Sequence, residues 1–136
     1  MTAIICLDDD NGMMFNHRRQ SQDREVRARV MERAAGQKLW MNAYSYKQFT
    51  DCSSEGIIAD EGFLEKAGED DYCFIEDRNI IPYLDRIERI ILYKWNRKYP
   101  ADFYFTVELE GWKQNGRKDF TGYSHEMITE EVYTRL

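Results

Sequence analysis

The chain has 136 residues, 43% of them hydrophobic and 14% aromatic, enough for one core and one domain of ordinary size. A formal charge of −6 argues against a generic nucleic-acid binder. The apolar runs are far short of a membrane span and no basic-then-apolar leader is visible, so a soluble, cytoplasmic protein is expected.

"TAIICLD" (residues 2–8) reads as a buried strand, and Asn11-Gly12 supplies turn residues tolerant of positive φ to end it. Ser21 can cap a helix whose first turn carries Asp23 and Glu25, favourable at a helix N-terminus. Val26, Val30, Met31 and Ala34 form its apolar stripe, and Gly36 ends it. "KLWMN" is the next strand, followed by a short "SYKQF" helix. "GIIA", a brief helix over "EGFLEKA", and the strand "YCFIE" come next, then a helix over "NIIPYLDRI" with Pro82 in its first turn. "RIILYKW" is the strongest strand. From Phe103 onward the pattern predicts antiparallel strands, with "FYFTVEL" alternating and a hairpin through "WKQNGRKDF". Strands alternating with helices, then a β-rich tail, predict an α/β fold with a mostly parallel sheet and an antiparallel edge. Cys6, Cys52 and Cys73 are an odd number without paired spacing, and Cys6 and Cys73 fall inside apolar strands. They read as core residues, not as a zinc or redox site.

The order of elements, with "AIICLDDDNGMMFN", "GQKLWMNAYSYKQF", "DYCFIEDRNIIPYLDRIERIILYKW", "YPADFYF" and "EEVYTR", resembles the dihydrofolate reductase family over nearly the whole chain. The resemblance implies one dihydrofolate reductase-like domain over residues 1–136: a mixed, mostly parallel central sheet flanked by helices, with antiparallel C-terminal strands. It also implies a hydride-transfer site for NADPH and a pterin, and that site can be checked residue by residue. The family's pterin-binding carboxylate falls nearest Asp23, but the Leu-Pro-Trp before it is replaced by Arg19-Gln20-Ser21. Met13-Met14 stand where the family has Ile-Gly, and Ile81 where it often has tyrosine. The Gly-Gly turn that approaches the cofactor phosphates is Glu76-Asp77. Carboxylates there cap the free N–H groups themselves and repel a pyrophosphate. Two like charges ~4 Å apart cost about 4 kcal/mol at an effective dielectric of ~20, a large part of the ~8 kcal/mol behind micromolar binding. The Met-Gly-Arg-x-Thr segment is Met41-Asn42-Ala43-Tyr44-Ser45, without the arginine, and the stretch that follows is short. NADPH-dependent reduction, and any other cofactor, is therefore not expected.

The remaining constellations are weaker. Arg18, Arg19 and Arg24 with His17 could hold a carboxylate or phosphate, or could be a solvated loop. His17 has no visible partner for acid–base work, and His125 in "GYSHEMI" reads as a turn or strand residue. "YKWNRKY" mixes Tyr93, Trp95 and Tyr99 with Lys94, Arg97 and Lys98, which reads as a strand end and turn with alternating faces, or as a surface for a single-stranded nucleic acid or for self-association. Asp8-Asp9-Asp10 cannot converge on a metal from one strand, and no P-loop, Gly-x-Ser-x-Gly or metallo-hydrolase signature is present. The expected function is small-ligand binding or regulation, with Arg18, Arg19, Asp23, Glu76 and Asp77 lining the old cleft. The alternatives are an enzyme acting on a small metabolite without NADPH, and a homodimeric structural module.

Overall fold

The computed structural model describes residues 1–50 and 55–136. Its centre is β1 (Thr2–Leu7), which runs parallel to β6 (Tyr72–Phe74) on one side and to β7 (Arg89–Lys94) on the other. Beyond β6 lie β4 (Leu39–Met41) and, at the edge, β5 (Ile57–Ala59), both parallel. Beyond β7 lie β10 (Ile128–Arg135) and β9 (Trp112–Phe120), both antiparallel, giving the order β5-β4-β6-β1-β7-β10-β9. This is the mostly parallel α/β sheet with antiparallel C-terminal strands that the sequence predicts. A separate small sheet joins β2 (Gly12–Phe15) to β3 (Arg18–Arg19) and β8 (Phe103–Tyr104).

The central strands are apolar along their middles because both faces of the sheet are covered. Ala3, Ile5 and Leu7 point into one core with Phe63, Leu64, Ile90 and Leu92. Ile4 points into the other with Phe74, Ile91 and Tyr93. Helix α1 (Arg24–Arg33) closes that second core through Val26 and Val30, one turn apart on the same face. Each valine contributes roughly 1.5–3 kcal/mol by burial. The two remaining α-helices among the described residues are single turns, α2 (Ala43–Tyr46) and α3 (Phe63–Lys66). No helix among the described residues is long and apolar enough to cross a membrane. Cys73 is a buried free thiol, pushed up to about 12 by burial, and Cys6 is half-buried and free. Cys52 lies outside the described residues.

Four local expectations need correction. Asp23, not Ser21, is the N-cap of α1, its carboxylate accepting from the Glu25 N–H at 2.8 Å. The "NIIPYLDRI" helix is a 3-10 segment, Ile81–Arg86. "FYFTVEL" yields only the two residues of β8. "WKQNGRKDF" is one continuous strand, β9, and the chain reverses later, between Phe120 and Ile128. Asn115-Gly116 looks like a hairpin turn but is used differently: Val132 faces Gly116 and Tyr133 faces Gln114, so Asn115 is the extra residue of a β-bulge. The two-residue hairpin turn that does form is Asn16-His17, both at positive φ, between β2 and β3.

Candidate functional site

The loops leaving the carboxyl ends of β1, β4, β6 and β7 meet at one edge, where open α/β sheets place ligands. Residues 18–24 cross this edge, and successive side chains go to different partners. Arg18 points outward and forms no ion pair among the described residues, whereas Arg19, its neighbour on β3, points inward, as alternation along a strand requires. Arg19 Nε donates to Glu76 Oε2 at 2.9 Å and its Nη2 to Oε1 at 3.1 Å, a two-pronged pair. Ser45 Oγ donates to the same carboxylate at 2.8 Å. The guanidinium lies 4.3 Å from the Tyr44 ring centroid and donates to the Tyr44 carbonyl. Burial alone would lower the Arg19 pKa, but Glu76 outweighs it and the charge is held more firmly than usual. Beside them the Cys6 thiol is pushed up, first by burial and then by Glu76. Asp77 is exposed; its two oxygens accept from Asn42 Nδ2 at 3.0 and 3.1 Å and Oδ1 also pairs with Arg78 Nε at 3.7 Å, while Asn42 caps α2.

Gln20 turns the other way and donates to Asp8 Oδ2 at 3.0 Å. Asp8 also accepts from the N–H groups of Asp10, Gly12 and Tyr99. Burial pushes its carboxyl up, but these bonds win and hold it below the usual range. Gly12 is obligatory here, since a Cβ would stand 2.6 Å from Gln20 Nε2 and 2.7 Å from the Ala101 Cβ. Asp8 is thus a loop organiser, and no group of three metal-binding side chains exists among the described residues.

The third cluster is centred on Asp23. Its carboxylate accepts from the N–H groups of Glu25, Tyr123 and Ser124, from Ser124 Oγ, and from His125 Nδ1 at 2.8 Å. Burial pushes this carboxyl up, but the His125 bond and the backbone donors overcome it and leave it well below the usual range. Gly122 permits the enclosure, because a Cβ there would fall 2.8 Å from Asp23 Oδ2 and 2.9 Å from the His125 carbonyl oxygen. Asp23 and His125 are both buried, with Trp95 stacked on the imidazole at 4.7 Å. On the far side of the ring, Nε2 lies 3.0 Å from Ser21 Oγ and 3.1 Å from Tyr99 Oη.

Arg19, Glu76 and Asp77 therefore gather at one end of the edge and Asp23 at the other, with Arg18 outside both groups. His17 is an exposed turn residue. Trp95 and Tyr93 are buried, so "YKWNRKY" does not present an aromatic surface. Ser21, Tyr99, Ser124 and His125 had no signal in the sequence as a group, because Ser21 lies 104 positions from His125 and Tyr99 lies 26 from it.

No protein-family model matches the sequence, and no curated protein matches it. A solved structure does: dihydrofolate reductase from Enterococcus faecalis complexed with NADP(H) and RAB-propyl is similar over 98% of this chain and 95% of that one, with a TM-score of 0.68 and 10% identity. The fold is dihydrofolate reductase-like.

Within this dihydrofolate reductase-like fold, a surface cavity of about 380 Å³ opens beside the Asp23 cluster, lined by Gln22, Asp23, Arg24, Arg27, Tyr123 and Ser124. A larger one, about 690 Å³, lies at the opposite, amino ends of the strands near Leu39, Gly56 and Asp71. The carboxyl edge, not the larger cavity, carries the concentrated hydrogen-bonding chemistry.

Proposed function

We propose that this dihydrofolate reductase-like domain does not use NADPH and instead binds a small anionic metabolite at the 18–24 edge. The Arg19–Glu76 pair carries the first half of this reading. Glu76 and Asp77 stand in the turn after β6 where a dinucleotide pyrophosphate would need close backbone approach and free N–H groups. Recruiting Arg19 to a phosphate would break a largely buried pair, which costs about 3–5 kcal/mol by leaving Glu76 uncompensated. That is a large part of the ~8 kcal/mol behind micromolar binding. The residues present do not fit the cofactor.

The second half rests on cations that the fold leaves facing solvent. Arg18 and Arg24 are exposed, and Arg24 lies 4.9 Å from the centroid of the exposed Tyr123 ring at the rim of the 380 Å³ cavity. A carboxylate or phosphate could be held there with an organic portion against Tyr123. The test is calorimetry with NADPH up to about 1 mM, which detects interactions as weak as roughly −4 kcal/mol, alongside thermal-shift titrations with inorganic phosphate and succinate. Silence with NADPH, and a melting temperature raised by phosphate or succinate in the wild type but not in Arg24→Ala, is the expected result. Saturable NADPH heat would overturn the first half, and no anion response the second.

A further inference from the structure

Asp23, His125 and Ser21 have a geometry that anion binding does not require. An ionised carboxylate can only accept, so His125 Nδ1, 2.8 Å from Asp23 Oδ2, carries a proton. In the neutral ring Nε2 is then the acceptor, and a hydroxyl 3.0 Å away, Ser21 Oγ, is placed to donate to it. Asp23 is held by three backbone N–H groups and the Ser124 hydroxyl, and the ring is clamped by Trp95, so the base is fixed in tautomer and orientation. Among these three side chains only Ser21 is partly exposed, since Asp23 and His125 are buried. A carboxylate that orients a histidine that faces the hydroxyl of a partly exposed serine is the arrangement that activates a serine, recognisable by roles and not by position in the chain.

We propose that Ser21 is a nucleophile activated by His125 and oriented by Asp23, and that the protein hydrolyses small carboxylic esters at this edge. Ser21 Oγ bonds to the ester carbonyl carbon while its proton passes to His125 Nε2. The alcohol leaves as its C–O bond to the acyl carbon breaks, taking the proton from Nε2. Water then attacks the acyl carbon, giving a proton to Nε2, and Ser21 departs and recovers that proton, releasing the carboxylic acid. No redox partner is needed. The cavity lined by Arg24 and Tyr123 adjoins Ser124, which itself touches Asp23, so an ester carrying an anionic group is the favoured substrate class. That preference rests on the anion-binding reading above; the nucleophile does not.

The experiment uses the whole chain with a small alkyl fluorophosphonate, read by intact mass and peptide mapping, and with 4-nitrophenyl acetate, read by nitrophenolate release. The expected result is one adduct on Ser21, no adduct in Ser21→Ala, and labelling slowed on the order of a hundredfold or more in His125→Gln. Circular dichroism establishes that each variant is folded. Ser21→Cys supplies a second measurement: its thiol should be alkylated by iodoacetamide faster than in the Ser21→Cys/His125→Gln double variant. Failure of the fluorophosphonate to label Ser21, or ester hydrolysis unchanged in Ser21→Ala, overturns the proposal. Both probes are neutral, so their result is independent of whether the edge binds anions. A fluorophosphonate adduct with a silent phosphate and succinate titration would remove the anionic preference and leave the nucleophile.

Discussion

The strip from Arg18 to Arg24 feeds two buried ionic clusters, and they are finished differently. At the Arg19–Glu76 end every strong group is matched: two guanidinium bonds and a serine hydroxyl converge on one carboxylate, and the guanidinium rests on Tyr44. At the Asp23–His125 end the carboxylate is equally satisfied, but the chain of bonds runs on through the imidazole to Nε2, where two hydroxyls meet one nitrogen. A closed cluster of this kind holds loops in place and has nothing left to offer a substrate. A cluster that ends in a shared lone pair beside a partly exposed hydroxyl retains a reactive end.

The largest effect should come from opening the closed cluster. Glu76→Gln strands the Arg19 charge in a half-buried setting and should lower unfolding free energy by about 3–5 kcal/mol in urea titrations. Replacing both partners, Arg19→Met with Glu76→Leu, should recover most of that loss, because an apolar pair carries no desolvation penalty. If the double variant is as unstable as the single one, the edge depends on the specific hydrogen bonds to Tyr44 and Ser45 and not on charge balance.

Next in size is Gly122→Ala. The added methyl would collide with Asp23 Oδ2, Ile128 Cδ1 and the His125 carbonyl, and a misfit of this kind costs roughly 1–3 kcal/mol. It should also separate His125 from Asp23, so fluorophosphonate labelling of Ser21 should fall with the stability, whereas Glu76→Gln should affect stability alone while the fold holds.

Acid probes the Asp23 end. Asp23 has its carboxyl depressed in the folded protein, so between the ordinary aspartate value of about 3.9 and its lower folded value the unfolded chain binds the extra proton. Its contribution to stability is therefore complete above roughly pH 5 and is lost progressively as the pH falls through about 4 and below. In Asp23→Asn this part of the acid loss should vanish, leaving a flatter profile between pH 5 and pH 2; asparagine caps a helix about as well as aspartate, so any lowering of the plateau reports the lost charge-assisted bonds and not the cap. Equal acid slopes in the two proteins would show that Asp23 is not depressed in this way.

These clusters were unequally visible in the sequence, for physical reasons. β1 and β7 are legible as continuous apolar runs because the sheet is covered on both faces. Glu76 and Asp77 stand out because carboxylates follow an apolar strand where a dihydrofolate reductase-like chain would have glycines, and Arg19 lies in the conspicuously basic stretch "NHRRQSQDR". That Arg19 meets Glu76 while Arg18 does not depends on strand alternation in a two-residue element too short to recognise. Asn115-Gly116 has the composition of a turn, and only pairing with β10 makes it a bulge. His125 is the furthest from reach: its partner lies 102 positions away, and the glycine that lets the two meet has no distinguishing neighbour.

The smallest effect is the one that most directly sharpens the contrast between the two ends. Tyr99 Oη and Ser21 Oγ lie at almost equal distances from His125 Nε2, 3.1 and 3.0 Å, and a single lone pair takes one strong donor at a time. Tyr99→Phe removes the competitor, so the fraction of molecules with Ser21 on Nε2 should rise, and the labelling rate of Ser21 with it, by about twofold if the two hydroxyls share the nitrogen equally. The lost hydroxyl costs about 1 kcal/mol of stability at most, so the two readouts should move in opposite directions. If labelling falls instead, Tyr99 acts by positioning the imidazole for Ser21, and the lone pair at this end of the strip already belongs to the serine.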